Sequence, residues 1–332
     1  DYNKYDYKAD NNFCNNGIVS PDRRYNPHAY EVAYQHQNIW SRLDVDLFIR
    51  NEYFFRDLSA YQLEWTLRLN GKAVQQGVKE LPHIAPQSEG RLSLKEVFDH
   101  LPKKKKHDVL TLDLAYKLKA EDGLLPAGYT VAHQQFVFDE TLKSLPTKAV
   151  DAYAPQDLKV DERDNRYLIV EGERLRLDVD RLTGLISRYS VDGHELLEDG
   201  RQISPNFWRA ATDNDMGAWL QQKYQLWRNP EYKVERVSIK SKSSDKVVLE
   251  TIWTMPKLNA KLNIEYVIYS DGGITYSQTF VPVDGEKKDM PNLFRYGIRL
   301  GMPKAYNTVE YFGYGPEENY QARATSQQLG LY

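Results

Sequence analysis

Sulfur is scarce in this chain: one cysteine, Cys14, and four methionines among 332 residues. An intrachain disulfide is therefore excluded, and so is a zinc site built on several cysteines. No apolar run approaches the roughly 18 residues that a membrane-spanning helix needs. Positive charge is not in excess either. Lys and Arg number 44 against 47 Asp and Glu, a net charge of −3, so the basic field of a nucleic-acid surface is missing. The run Lys103–Lys106 beside Pro102 has no interleaved aromatic residues and reads as a solvated loop. The seven histidines are scattered, and none forms a close ligand set with Cys, Asp or Glu. Even His28 and His36, about two helical turns apart, read as surface residues. There is no GxSxG elbow, no HExxH and no GxGxxG after a strand. Asp213-Asn214-Asp215 looks like the start of a calcium loop, but Gly217 stands at the fifth position and Tyr224 at the twelfth, which rejects an EF-hand. No secretory signal is visible and no initiator methionine opens the sequence. We expect the protein's true amino terminus to lie elsewhere.

What the chain has in quantity is aromatic residues: 24 Tyr and 6 Trp. They favour strands and offer flat faces to sugar rings. Apolar residues make up 41% and charged residues 27%, enough to give about two domains a core each. Pro27 and the spacing of Tyr30, Ala33 and Tyr34 predict a short helix. From Ile39 the period becomes two. Tyr61, Leu63, Trp65, Leu67 and Leu69 alternate with polar residues and predict a strand with one buried face. Asn70-Gly71 follows as a hairpin turn. Further strands are predicted at Leu110–Leu118 and Tyr129–Phe138, with no helical stretch between. Residues 144–157 carry two prolines and no period, and predict a linker. Beyond it, Leu175, Leu177 and Val179 face one way, and Thr183-Gly184 and Asp192-Gly193 are turns. Ile264, Tyr266 and Ile268 pair back through Asp271-Gly272-Gly273 to Ile274, Tyr276 and Gln278. Residues 205–232 interrupt this pattern with a polar, tryptophan-containing insertion, of a kind that is functional or lid-like more often than idle, though a packed surface loop would read the same way.

Glycoside hydrolysis needs two carboxylates flanking the bond. Glu317-Glu318 are adjacent, and in an extended segment would point to opposite sides. No convincing acid and nucleophile pair stands in the sequence, so catalytic residues in this chain are predicted to be none.

Three segments resemble the β-galactosidases of glycoside hydrolase family two. The first is Phe13-Cys14-Asn15-Asn16-Gly17-Ile18-Val19 with Asp22-Arg23, Pro27 and the helix through Glu31. The second is Arg209-Ala210-Ala211-Thr212-Asp213-Asn214-Asp215-Met216-Gly217. The third is Gly313-Tyr314-Gly315-Pro316-Glu317-Glu318-Asn319-Tyr320, then Arg323. They occur in the family's order. The sequence departs from the family in the glycines leading into the first segment, and in Ala322, where the family has an aspartate before the arginine.

The resemblance implies an all-β fold: an Ig-like β-sandwich followed by a larger galactose-mutarotase-like β-supersandwich, truncated at its carboxy end, with a short barrel-derived segment in front. The implied divisions are 1–38 (end of a catalytic barrel), 39–143 (Ig-like sandwich), 144–160 (linker) and 161–332 (small-chain sandwich). It also implies a sodium ion held by the Phe13 carbonyl and the Asn16 side chain, with Asn16 within reach of the sugar. Hard cations take such oxygen ligands. Asn16 is equally a candidate turn residue before Gly17. Asp213, Asn214, Asp215 and Gly217 belong to the family's mobile active-site loop, with Gly217 near its hinge. The catalytic glutamates and magnesium ligands would lie in an upstream barrel of the same polypeptide. The substrate would be a terminal β-galactoside, cleaved with retention, and the assembly a homo-oligomer without nucleic-acid or membrane partners. The chain alone would be inactive. Two rivals stand: a carbohydrate-binding or adhesion module, and an oligomerisation segment.

Overall fold

In the computed structural model, the described residues are 17–105, 108–138, 157–283 and 290–332. Phe13, Cys14 and Asn16, and most of the expected linker, lie outside them. The structure is 44% strand and 10% helix, which bears out the all-β sandwich class. The chain forms two compact units. One holds the described residues up to 138 together with Val309–Tyr332, and the other ends at Thr308.

The first unit opens with a bridge between Val19 and Tyr25 and helix α1 (His28–Gln35). The strands β1 (Ile39–Leu43), β2 (Leu47–Asn51), β3 (Tyr61–Leu69), β4 (Lys72–Glu80) and β5 (Glu89–Leu92) follow. Then come a single turn of helix, α2 (Lys95–Phe98), and strands β6 (Leu110–Leu118) and β7 (Thr130–Val137). They form two antiparallel sheets, in the orders β1-β2-β5 and β4-β3-β6-β7. The chain changes sheet between β2 and β3, between β4 and β5, and between β5 and β6. This is the Greek-key habit of Ig-like sandwiches. The apolar alternation explains the packing. Tyr61, Leu63, Trp65 and Leu67 of β3 face inward beside Leu112, Leu114 and Tyr116 of β6. Ile39, Leu47 and Ile49 meet them from the other sheet. Asn70 (φ 51°) and Gly71 (φ 78°) close the β3–β4 hairpin with positive φ at both positions.

The second unit also has two layers. Strands β8 (Lys159–Asp161), β9 (Tyr167–Glu171), β10 (Leu175–Asp180), β11 (Leu185–Val191) and β12 (His194–Glu195) form one antiparallel sheet. A short strand, β13 (Ser204–Asn206), leads into the expected insertion, which holds the short helices α3 (Asp213–Gly217) and α4 (Leu220–Lys223). The second layer is a meander of β14 (Lys233–Lys242), β15 (Lys246–Met255), β16 (Ala260–Tyr269) and β17 (Ile274–Pro282). Strand β18 (Gly297–Arg299) pairs back with β13. One apolar cluster unites both layers, with Leu177, Val179 and Ile186 on one side and Leu249, Leu262 and Ile264 on the other. The turn at Gly184 binds the layers: its carbonyl accepts from Thr251 Oγ1 at 2.8 Å and Tyr266 Oη at 3.0 Å. Gly184 needs φ +70°, and a Cβ there would stand 2.2 Å from Thr251 Cγ2. Conformation and space both demand glycine.

The chain then supplies a hairpin of β19 (Phe312–Gly315) and β20 (Gln328–Leu331) to the first unit. The expected domain 161–332 is thus divided at Thr308. The Gln135 side chain explains the attachment. Its Nε2 donates to the Leu329 carbonyl at 2.9 Å and its Oε1 accepts from the Leu329 amide at 2.7 Å, so an amide side chain takes the place of a neighbouring strand.

Candidate functional site

Two places carry the sequence-predicted residues. The first follows directly on Asn16. Gly17 lies at φ +154°, and its carbonyl is fixed by Asn26 Nδ2 at 2.6 Å and His28 Nε2 at 3.0 Å. The loop beyond it is closed by Ser20, whose hydroxyl donates to Asp22 Oδ1 at 2.6 Å. Helix α1 buries no residue fully, so its packing alone would hold it weakly. A carboxylate compensates. Glu31 accepts from the Ser326 amide at 2.9 Å, from Gln35 Nε2 at 2.8 Å and from the Thr325 hydroxyl. Burial pushes the Glu31 carboxyl up, but these hydrogen bonds outweigh it and hold it at about 2, against an ordinary 4.5.

Between α1 and residues 315–328 lies a cavity of about 710 Å³ over the outward face of the β3–β6–β7 sheet. Its upper wall includes Ile18, Val19, Tyr25 and Tyr30. Its floor carries Arg68, whose Nε donates to Asp113 at 2.6 Å, and Glu64, which accepts from Lys117. The floor charges are paired, so the cavity has a polar but internally neutralised base. The third motif forms its other rim. The Glu317 amide donates to Gln327 Oε1 at 2.9 Å, and Asn319 Nδ2 to the Tyr314 carbonyl at 3.0 Å. Glu318 pairs with Arg323 at 2.6 Å. Glu318 is thereby engaged in an ion pair within its own segment.

The second place is the insertion of the second unit. Its ends are anchored by Phe207 and Trp227, 2% and 1% exposed, whose rings meet at 5.3 Å. Trp227 Nε1 also donates to the Pro291 carbonyl at 3.0 Å. Between these anchors, Thr212 caps α3. Its hydroxyl accepts from the Asp215 amide, and Asp215 accepts from the Thr212 amide at 2.9 Å, completing a capping box. Asp215 also pairs with Arg209 through both guanidinium nitrogens, one at 3.1 Å. The Arg209 guanidinium and the Thr212 amide hold its carboxyl at about 2. Arg209 in turn lies 4.8 Å above the Phe294 ring.

Of the four residues assigned to this loop, Asp215 turns inward as its brace. Asp213, Asn214 and Gly217 are exposed. Gly217 ends α3 without positive φ, and a Cβ there would meet nothing within 4 Å. Among the described residues, no group of three or more His, Cys, Asp or Glu could hold a metal ion, and no helix is long and apolar enough to cross a membrane. Sequence reasoning missed Glu31 as a clamp, because its partners lie far along the chain. It also passed over the brace, although the Thr212-x-x-Asp215 spacing is a capping-box signal.

Comparison with known proteins fits this architecture. Residues 47–139 match the family described as β-galactosidase, domain 4, which covers most of the first sandwich. Residues 171–332 match the β-galactosidase small chain family. The chain belongs to the β-galactosidase family. The β-galactosidase of Priestia megaterium is 31% identical across 98% of this chain, and those of Halalkalibacterium halodurans and Actinobacillus pleuropneumoniae are each 28% identical across 98% and 97%. The chain spans 31% of the length of each of these three relatives. The second and third sequence motifs both lie within the small-chain match, and the first precedes both matches.

Proposed function

We propose that this chain is the domain 4 and small-chain portion of a retaining β-galactosidase that cleaves terminal β-galactosides. The observation that carries the reading is the similarity to β-galactosidases along 98% of the chain, combined with its spanning 31% of their length. The acid/base and nucleophile glutamates, with any magnesium, then belong to a barrel segment outside these residues, acting across a bond that they flank. The chain contributes an edge to the sugar site. The Phe13 carbonyl and Asn16 side-chain oxygen would hold sodium there, since neutral oxygens suit a hard monovalent cation. A sodium ion bound there would supply a fixed positive charge beside a sugar hydroxyl. Asn16 positions the same hydroxyl, and the Gly17 carbonyl, pinned by Asn26 and His28, fixes the backbone after it. The capped turn at Asp213–Gly217 presents the loop that closes on the sugar, and the parent is a homo-oligomer.

The test uses a chromogenic β-galactoside. The full-length polypeptide is expected to turn it over with retention, Asn16→Ala to raise KM and weaken sodium dependence, and the 332-residue chain alone to be inactive. Rapid turnover by the purified chain would overturn the division of labour. A second reading, a carbohydrate-binding module without hydrolysis, draws on the tyrosine-lined cavity of the first unit. Tight sugar binding by the chain alone, with an inactive full-length protein, would establish it instead.

A further inference from the structure

Five of the six tryptophans have a structural occupation. Trp65 is 8% exposed and packs over Gly77, where a Cβ would meet its ring at 2.8 Å. Trp40 meets Tyr34 edge-on at 5.3 Å, and Trp208 meets Phe294 at 4.8 Å. Trp227 is buried as described, and Trp253 stacks on Tyr232 at 3.6 Å and donates Nε1 to the Thr183 carbonyl at 2.8 Å. Trp219 has none of these. It is 64% exposed, and among the described residues no ring and no side-chain hydrogen bond engages it.

Its backbone makes this costlier. Trp219 lies in the left-handed region at φ 61°, ψ 27°, between α3 and α4. Its amide donates to the Met216 carbonyl at 3.0 Å, and its own carbonyl accepts from Gln222 at 3.2 Å and Lys223 at 3.0 Å. The two short helices therefore dictate the conformation, which is the position after a helix end that glycine ordinarily fills. A bulky residue there is strained, because its Cβ crowds the following carbonyl. With 64% of the residue exposed, burial of the side chain offsets little of this. A large apolar ring held out in solvent at a strained position is a mark of ligand contact rather than of folding.

We propose that Trp219 is a substrate-contacting, specificity-determining residue: its face stacks on a pyranose ring of the β-galactoside. This rests on the reading of the Asp213–Gly217 turn as the start of the loop that closes on the sugar. A flat aromatic face complements the apolar C–H face of a pyranose, while the exposed Asp213 and Asn214 of the preceding helix leave polar groups for its hydroxyls.

The experiment uses the full-length enzyme with a chromogenic β-galactoside. Trp219→Ala is expected to raise KM about tenfold, the scale of one aromatic stacking contact, with kcat within twofold of wild type. Trp219→Phe is expected to restore most of the KM. Trp219→Gly is expected to lose affinity like alanine while the thermal midpoint stays equal or rises, which a structural role for the ring would reverse. An active wild type whose Trp219→Ala variant keeps its KM overturns the proposal alone, as does a phenylalanine variant no better than alanine. A wild type inactive on every β-galactoside overturns the galactosidase reading, and the proposal with it.

Discussion

Two carboxylates in this protein are held at about 2, and they reach that state by opposite routes. Asp215 in the second unit is satisfied by Arg209 and Thr212, six and three residues away. Glu31 in the first unit is satisfied mainly by Thr325 and Ser326, 294 and 295 residues away. The same chemistry therefore does two jobs. Around Asp215 it shapes a turn whose ends are already fixed by the buried rings of Phe207 and Trp227. Around Glu31 it is the fastening itself, because α1 buries no side chain fully. The comparison teaches that a depressed carboxylate marks a brace where apolar anchors exist, and a clamp where they do not.

The sharpest way to break this contrast is to remove an anchor. Trp227→Ala should destabilise the second unit by about 4 kcal/mol, the scale of a large buried ring lost from a core. Urea unfolding measures it, and a loss under about 1 kcal/mol would mean that the capping box, not the ring, holds the insertion. Glu31→Ala should cost the first unit about 2 kcal/mol, since it strips a charged acceptor from several donors at once. An unchanged urea midpoint would sink the clamp.

Acid sharpens the same point. The Glu31 carboxyl is depressed in the fold, so the unfolded chain binds its proton first as pH falls. Its contribution is complete above about 4.5 and is lost as pH drops toward about 2. The stability gap between wild type and Glu31→Gln should be constant above that window and narrow through it. A gap that widened on acidification would contradict the assignment. Thr212→Ala should cost about 1 kcal/mol, the usual worth of a helix cap, seen as faster amide exchange in Asp213–Gly217. The smallest effect is expected at Gly217. With ordinary helical φ and open space, Gly217→Ala should stabilise by about 0.5 kcal/mol. A clear loss of stability would show that the turn needs a conformation only glycine can reach.

The sandwich layers were legible because a strand's two faces alternate strictly. Tyr61 to Leu69 and Leu175 to Val179 announced their buried faces, and Asn70-Gly71 and Asp192-Gly193 their turns, with positive φ at all four turn residues. The interior of the 205–232 insertion was less legible, since its helices of five and four residues are too short to show a period. The Thr212-x-x-Asp215 signal of the cap was passed over, and the strain at Trp219 left no signal, because a left-handed tryptophan is what local preference argues against. Glu31 looked like one more polar residue on a helix face.

By itself the sequence determined which residues alternate, where the chain can turn, and which family motifs it carries, all properties of neighbours within a few positions. The tertiary structure alone decided that Val309–Tyr332 joins the first unit, that Gln135 stands in for a strand against Leu329, and that Glu31 meets Thr325. The physical reason is range. Backbone preference and side-chain period act between near neighbours, whereas a hydrogen bond or an apolar contact depends only on distance in space. Which distant groups come within that distance is settled when the layers pack.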